Sequence, residues 1–258
     1  YGHRATLIFG TDTFLAGWGR RASAYDFSSV RAAIAGAEPV KDATRAMWSD
    51  RFGVRILEGF GATEAGPVIA LNTPMENRPG TVGRPLPGIE IRLEQAPGID
   101  GERLWIKGPN VMAGYLLAHD KSCIHAPENG WYDTGDIVQC DAEGFIRIVG
   151  RAKRFAKVGG EMVSLAAAEV LAASVWPDAH VAAIAEKDAR KGEKVLLLTD
   201  QPGANRKALS AAAKAHGIAE ITVPSEVVVL DKIPLLASGK TDYPALTRAL
   251  AANQEDAA

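Results

Sequence analysis

Val30-Arg-Ala-Ala-Ile-Ala-Gly36-Ala-Glu-Pro39, answered by Gly53-Val-Arg-Ile-Leu57 one helix length later, decides the architecture of the first part of this chain. Val30 to Ala35 is a short apolar run that leads into glycine, as a buried strand does. Pro39 then opens a helical pattern in which Val40, Ala43, Met47 and Phe52 recur on one face, and Gly53 is placed to stop it. Val54 to Leu57 returns to strand, and Ala5 to Phe9 supplies an earlier one. Strand, helix and strand joined by short connections predict parallel α/β packing.

Outward from that segment the texture changes twice. From about Arg78, prolines and glycines punctuate short strands such as Ile89 to Leu93 and Leu104 to Lys107. Asp141-Ala-Glu-Gly144 reads as the turn of a hairpin joining Ile137-Val138 to Phe145–Val149. Such spacing predicts a small antiparallel or barrel-like unit. After Gly150-Arg151 the pattern becomes α+β. Ser164 is a helix N-cap for an alanine-rich helix through Ser174. Strands near His180 to Ala185 and Val195 to Thr199 follow, then a helix from Arg206 to His216 and a strand from Glu226 to Leu230. The expectation is an α/β segment at about 1–78 and a β-rich subdomain at about 79–152. A small α+β domain over 153–258 follows, with the boundary at Lys153.

Composition excludes more than it identifies. The 258 residues are 47% hydrophobic and 23% charged with a net charge of −2, which describes an ordinary globular protein without a basic field for nucleic acid. No apolar run is long enough to span a membrane, and the first residues lack the regions of a signal peptide. The chain starts almost inside a strand, which reads as a cut. Cys123 and Cys140 form no C-x-x-C pair, and no histidine stands at ligand spacing, so no zinc site is expected and both thiols read as reduced. His3, His119 and His125 show no base or nucleophile partner, and His180 and His216 read as structural.

Individually, the motifs have two readings each. Gly59-Phe-Gly-Ala-Thr-Glu64 follows a strand, where ligands sit in open α/β sheets. Its glycines would admit a flat ring, Phe60 would stack on it, Thr63 would reach a phosphate and Glu64 would hold Mg²⁺. The same six residues also read as a turn with a solvated glutamate. Glu64 and Pro234 stand where a dinucleotide fingerprint and a P-loop respectively need glycine, so neither of those motifs is present. Asp136, after Thr134-Gly135, is a ribose acceptor or a turn former. Arg151 closes over that ribose or faces solvent. Lys240, beside Gly239, delivers positive charge to phosphoryl oxygens or is simply a surface lysine.

Taken in order, Gly36–Pro39, Gly59–Glu64, Gly101-Glu-Arg-Leu-Trp-Ile-Lys-Gly108 with Gly114-Tyr115, Tyr132–Asp136, Gly150-Arg151, Lys157 with Gly160, and Gly239-Lys240 resemble the acyl-adenylate-forming enzymes over essentially the whole chain. Within that family the stretch from Arg151 to Leu165 looks especially like the synthetase half of the bacterial bifunctional 2-acylglycerophosphoethanolamine acyltransferase/acyl-(acyl carrier protein) synthetases. The resemblance implies that Gly36, Ala37, Glu38, Gly59, Phe60, Gly61 and Thr63 surround adenine and the α-phosphate of ATP or AMP. It further implies Mg²⁺ at Glu64, ribose at Asp136 and Arg151, and Lys240 bridging carboxylate and α-phosphate. Lys153 would be the hinge, and Gly160 would admit a phosphopantetheine thiol.

Three positions depart from the family pattern: Lys153 replaces the usual aspartate, Tyr243 a frequent arginine and Ala167 a common glutamate. The upstream Ser/Thr/Gly-rich phosphate loop is absent, so this chain is expected to be the inactive C-terminal portion of a fatty acyl-(acyl carrier protein) synthetase. Fatty acid and acyl carrier protein are the expected partners, with coenzyme A and a fatty acyl-CoA ligase as the alternative, and a non-catalytic docking module as a reading of another class. The expected location is cytoplasmic, with the full-length protein attached to the bacterial inner membrane.

Overall fold

A computed structural model describes residues 3–236 and 241–255, and these form two compact units. The first comprises residues up to Ala96 together with Asp100–Val149, and the second comprises Pro97–Ile99 and the residues from Gly150 onward.

In the first unit β1 (Leu7–Gly10), α1 (Asp12–Arg21), β2 (Ala32–Ala35), α2 (Asp42–Phe52) and β3 (Arg55–Gly61) alternate; the three strands and α2 follow the sequence pattern, while α1 is an element it did not name. These three strands pair in parallel, and β4 (Val68–Leu71) and β5 (Arg84–Pro85) extend the sheet antiparallel in the order β1-β2-β3-β4-β5. Helix α2 starts at Asp42 rather than at Pro39. The amides of Val40 and Lys41 are taken by the Glu58 and Asp12 carboxylates, at 3.2 and 3.0 Å, which holds Lys41 extended outside the first turn. Gly53, left-handed at φ 64°, ends the helix as predicted.

Trp48 anchors this layer. It is fully buried, its indole nitrogen donates to the Leu15 carbonyl at 2.9 Å, and its ring stacks on Phe27 with centroids 4.7 Å apart. Loss of such a ring costs about 3–5 kcal/mol.

The barrel-like expectation gives way to an open sheet. β6 (Glu90–Gln95), β7 (Glu102–Lys107), β10 (Tyr132–Cys140) and β11 (Ile146–Arg151) lie in the order β11-β10-β7-β6, and the edges do not close. β8 (Tyr115–Leu117) and β9 (Asp120–His125) form a separate two-stranded hairpin. Leu104, Ile106, Val138 and Ile146 pack with Ile69 and Ala70 into one core cluster, so one face of the sheet is satisfied by burial without closure.

The second unit begins with the hairpin β12 (Phe155–Val158) and β13 (Glu161–Ser164). There follow α3 (Leu165–Val175), β14 (Val181–Asp188), β15 (Gly192–Thr199), α4 (Arg206–Ala215), β16 (Glu226–Val229) and α5 (Tyr243–Glu255). The Ser164 hydroxyl caps α3 by accepting from the Ala167 amide at 3.2 Å. Alternation along the central strands serves both faces of the sheet. Ala183, Val195 and Leu197 meet Leu165, Leu171 and Leu209 of α3 and α4, while Ala182 and Leu198 meet Leu246 of α5.

Candidate active site

The ends of β2 and β3 lie side by side, and the residues expected around a nucleotide are grouped there. Gly36 follows β2, and a side-chain carbon added to it would lie 3.6 Å from the Gly59 carbonyl, an ordinary contact. Ala37 adopts φ 71°, a left-handed conformation costly for a residue with a Cβ. Glu38 accepts from the Thr13 amide at 2.8 Å while Asp12 accepts from Lys41, so two carboxylates cross-cap α1 and the entry to α2.

The glycines of the β3 loop have a packing explanation that the sequence did not reveal. A Cβ at Gly61 would stand 2.0 Å from the Pro67 carbonyl, and one at Gly59 would stand 2.8 Å from Leu71 Cδ1. Both distances result from the chain folding back on β3; at Gly61 the obstacle is backbone, so glycine is required there without any ligand, whereas at Gly59 the Leu71 side chain can shift. Phe60 is half-buried against the core cluster of the open sheet, and Thr63 is exposed at the start of a short 3₁₀ turn.

That turn is held from several sides. The Asn110 amide nitrogen donates to the carbonyls of Ala65 and Val68 at 2.6 and 3.0 Å, and the Met112 amide donates to the Glu64 carbonyl at 2.8 Å. The Tyr115 hydroxyl donates to Glu64 Oε1 at 2.8 Å. Tyr115 also shares a hydrogen bond with Tyr132, the first residue of β10. That bond, then burial, then the bond to Glu64 push the Tyr115 phenol well above its ordinary value. A chain Glu64–Tyr115–Tyr132 therefore joins the β3 loop to the strand that carries Asp136. Asn110 and Glu58 escape a reading of the sequence because their partners are far away along the chain.

Asp136 lies inside β10, not before a strand, at a bulge where the register with β7 shifts between Asp133 and Ile137. Gly135 at φ 70° makes the bulge possible, and the Thr134 hydroxyl donates to the Leu104 carbonyl while accepting from the Asp136 amide at 3.1 Å. Asp136 is buried. Next to it, Arg103 grips Asp133 through both ends of its guanidinium.

In the second unit Arg151 ends β11 and Lys153 lies in the turn that follows, where the Arg154 amide donates to the Arg151 carbonyl at 2.7 Å. Gly160, at φ 95°, shapes the exposed turn between β12 and β13. Lys240 and Gly239 lie outside the described residues, although Leu235 and Thr241 on either side form an antiparallel bridge. Tyr243 joins a partly buried triad. Arg154 donates to Glu169 at 2.7 Å and lies 3.9 Å from the Tyr243 ring centroid, and the Tyr243 hydroxyl donates to Glu169 at 2.8 Å.

Two expectations are corrected on the β8–β9 hairpin. His125 does have partners, and Asp120, Cys123 and His125 do converge as possible metal ligands. Their D-x-x-C-x-H spacing becomes a cluster only through the fold of the hairpin.

The sequence pattern of the AMP-binding enzyme family matches residues 2–116. A long-chain-fatty-acid–CoA ligase of Salmonella typhimurium is 32% identical over 224 residues, covering 83% of this chain and 39% of its own length. ATP-bound MatB from Rhodopseudomonas palustris superposes with a TM-score of 0.79 at 26% identity, covering 95% of this chain and 51% of its own. The o-succinylbenzoate CoA synthetase of Bacillus subtilis, in complex with the acyl-adenylate intermediate OSB-AMP, gives 0.78 at 26% identity, covering 95% and 51%. The chain thus spans about half the length of these solved structures and less of the curated ligase. Residues 2–116 thus carry the pattern of the AMP-binding enzyme family, and the chain shares the mixed α/β fold of these solved structures.

Proposed function

We propose that this chain supplies part of an AMP-forming acid–thiol ligase that activates a fatty acid and passes it to coenzyme A. The observation that carries the reading is the Glu64–Tyr115–Tyr132 chain, which ties the loop expected to face phosphate to the bulge that presents Asp136. The naming of the Salmonella relative as a fatty-acid–CoA ligase favours coenzyme A over the acyl carrier protein as acceptor. The acyl carrier protein is the second reading, supported by the resemblance of Arg151–Leu165 to the acyl-(acyl carrier protein) synthetases. Both acceptors present the same phosphopantetheine thiol.

In this reading the first half-reaction joins the carboxylate oxygen to the α-phosphorus of ATP and releases pyrophosphate. The second joins the thiol sulfur to the acyl carbon, releasing AMP and the thiol proton. Asp136 and Arg151 hold the ribose, Phe60 and the Gly36–Glu38 turn face the base, and Thr63 bonds the α-phosphate. Glu64 suits Mg²⁺ because a hydroxyl from Tyr115 orients its carboxylate, the kind of outer support that metal-binding carboxylates use. Bound there, Mg²⁺ would neutralise phosphate charge. Lys240 would carry charge to the α-phosphate, with Lys153 as the hinge and Gly160 on the thiol's path. Adenylation is proposed to need the length of the relatives that this chain does not span.

In the complete enzyme, Asp136→Asn weakens AMP roughly tenfold or more, the worth of a hydrogen bond to a charged group, as read by calorimetric titration. Unchanged affinity removes the ribose assignment. Lys240→Ala lowers pyrophosphate exchange by about 10²–10³ with AMP binding intact. Unchanged exchange favours a non-catalytic module. Comparing coenzyme A with acyl carrier protein as acceptor decides between the two ligase readings.

A further inference from the structure

We propose that Asp120, Cys123 and His125 form a three-ligand Zn²⁺ site on the β8–β9 hairpin. His125 Nε2 lies 3.0 Å from Asp120 Oδ2 and 3.8 Å from Cys123 Sγ, and Sγ lies 3.6 Å from the same Oδ2. Tetrahedral zinc with ordinary bond lengths has ligand–ligand edges of about 3.4 Å for N···O and about 3.6 Å for both N···S and O···S. Each observed edge is within about 0.4 Å of that triangle, so an ion entering the site needs only a slight spreading of the ligands.

Two other readings fit less well. In a nucleophilic Cys–His–Asp relay the carboxylate orients one ring nitrogen and the thiol meets the other. Here Asp120 and Cys123 address the same Nε2, which defeats a relay but is how ligands surround one ion. A simple His–Asp ion pair accounts for only two of the groups, whereas the thiol's donation to the same oxygen brings a third ligand atom to the cluster.

The carboxylate is also oriented from behind. Ser122 donates its amide and hydroxyl to Asp120 Oδ1 at 3.1 and 2.5 Å, turning Oδ2 toward the cluster. Outer-shell bonds of this kind are what fix metal-ligating carboxylates. All three ligands are reachable from solvent, leaving the fourth position for water. The thiol proton leaves to solvent on binding. Because His125 stands opposite Tyr115 in the ladder, the ion would fix the strand paired with the one that carries the Glu64 partner.

Titration of the reduced chain with Co²⁺, then displacement by Zn²⁺, tests this. One equivalent should bind with a thiolate-to-cobalt charge-transfer band, and Zn²⁺ should abolish the band. Cys123→Ser should remove the band and weaken Zn²⁺ on the order of a hundredfold. His125→Ala and Asp120→Asn should weaken it similarly, while Cys140→Ser should change nothing. Amide exchange over residues 115–125 should slow when Zn²⁺ is added. Absence of binding, binding without a thiolate band, or a band that survives Cys123→Ser each overturns the proposal. Because the ligands lie on an exposed hairpin, an unaltered circular dichroism spectrum confirms that each variant is folded.

Discussion

Single residues in the β3 loop separate packing from chemistry. At Gly61 the nearest obstacle is a backbone carbonyl, which no rotamer change can move, so Gly61→Ala should destabilise the protein by about 1–3 kcal/mol in a urea titration. At Gly36 the added methyl meets only an ordinary contact, and Gly36→Ala should leave the urea midpoint nearly unchanged. A loss of AMP affinity in that variant would then report on the ligand alone. The sequence located this loop correctly after a strand. It could not tell a glycine needed for a ligand from one needed for a returning strand, because β4 approaches only in three dimensions.

Among the secondary structure elements, legibility followed local signals. The β2–α2–β3 alternation was readable from the apolar strands and the Gly53 stop, although α2 starts at Asp42 and buries Thr44 and Trp48 while Ala43 is exposed. Helix α1 was not, since Phe14 and Trp18 are largely exposed and only Leu15 of its large side chains is buried, which blurs the stripe. The β8–β9 hairpin was unread because β9 is mostly polar and exposed. Glu58 shows how these elements are fixed. Its carboxylate accepts from Val40 and Gly80 and pairs with Arg45 at 2.9 Å, joining β3, the start of α2 and the loop before β5. Glu58→Ala removes one partner of a buried pair and should cost about 3–5 kcal/mol by thermal or chemical denaturation. A loss below about 1 kcal/mol would show that the junction does not depend on this carboxylate.

For the molecule as a whole, alkaline pH should act in part through the more buried of the two raised tyrosines, Tyr243 of the second unit. Burial, then the nearby Glu169 charge, push the Tyr243 phenol above its ordinary value of 10.0. The native state thus holds its proton more tightly than the unfolded chain. Stability is complete below about pH 10 and falls as pH rises further, because the unfolded phenol ionises first. Urea midpoints of the wild type should decline above that pH, and those of Tyr243→Phe should decline less. The turn bearing Thr63 and Glu64 carries a different implication for the whole chain. Asn110, Met112 and Tyr115 secure it from about fifty positions downstream. A guest arriving there meets a mould already set. Little of its affinity is spent on freezing that segment, and selectivity rests on shape more than on adaptation.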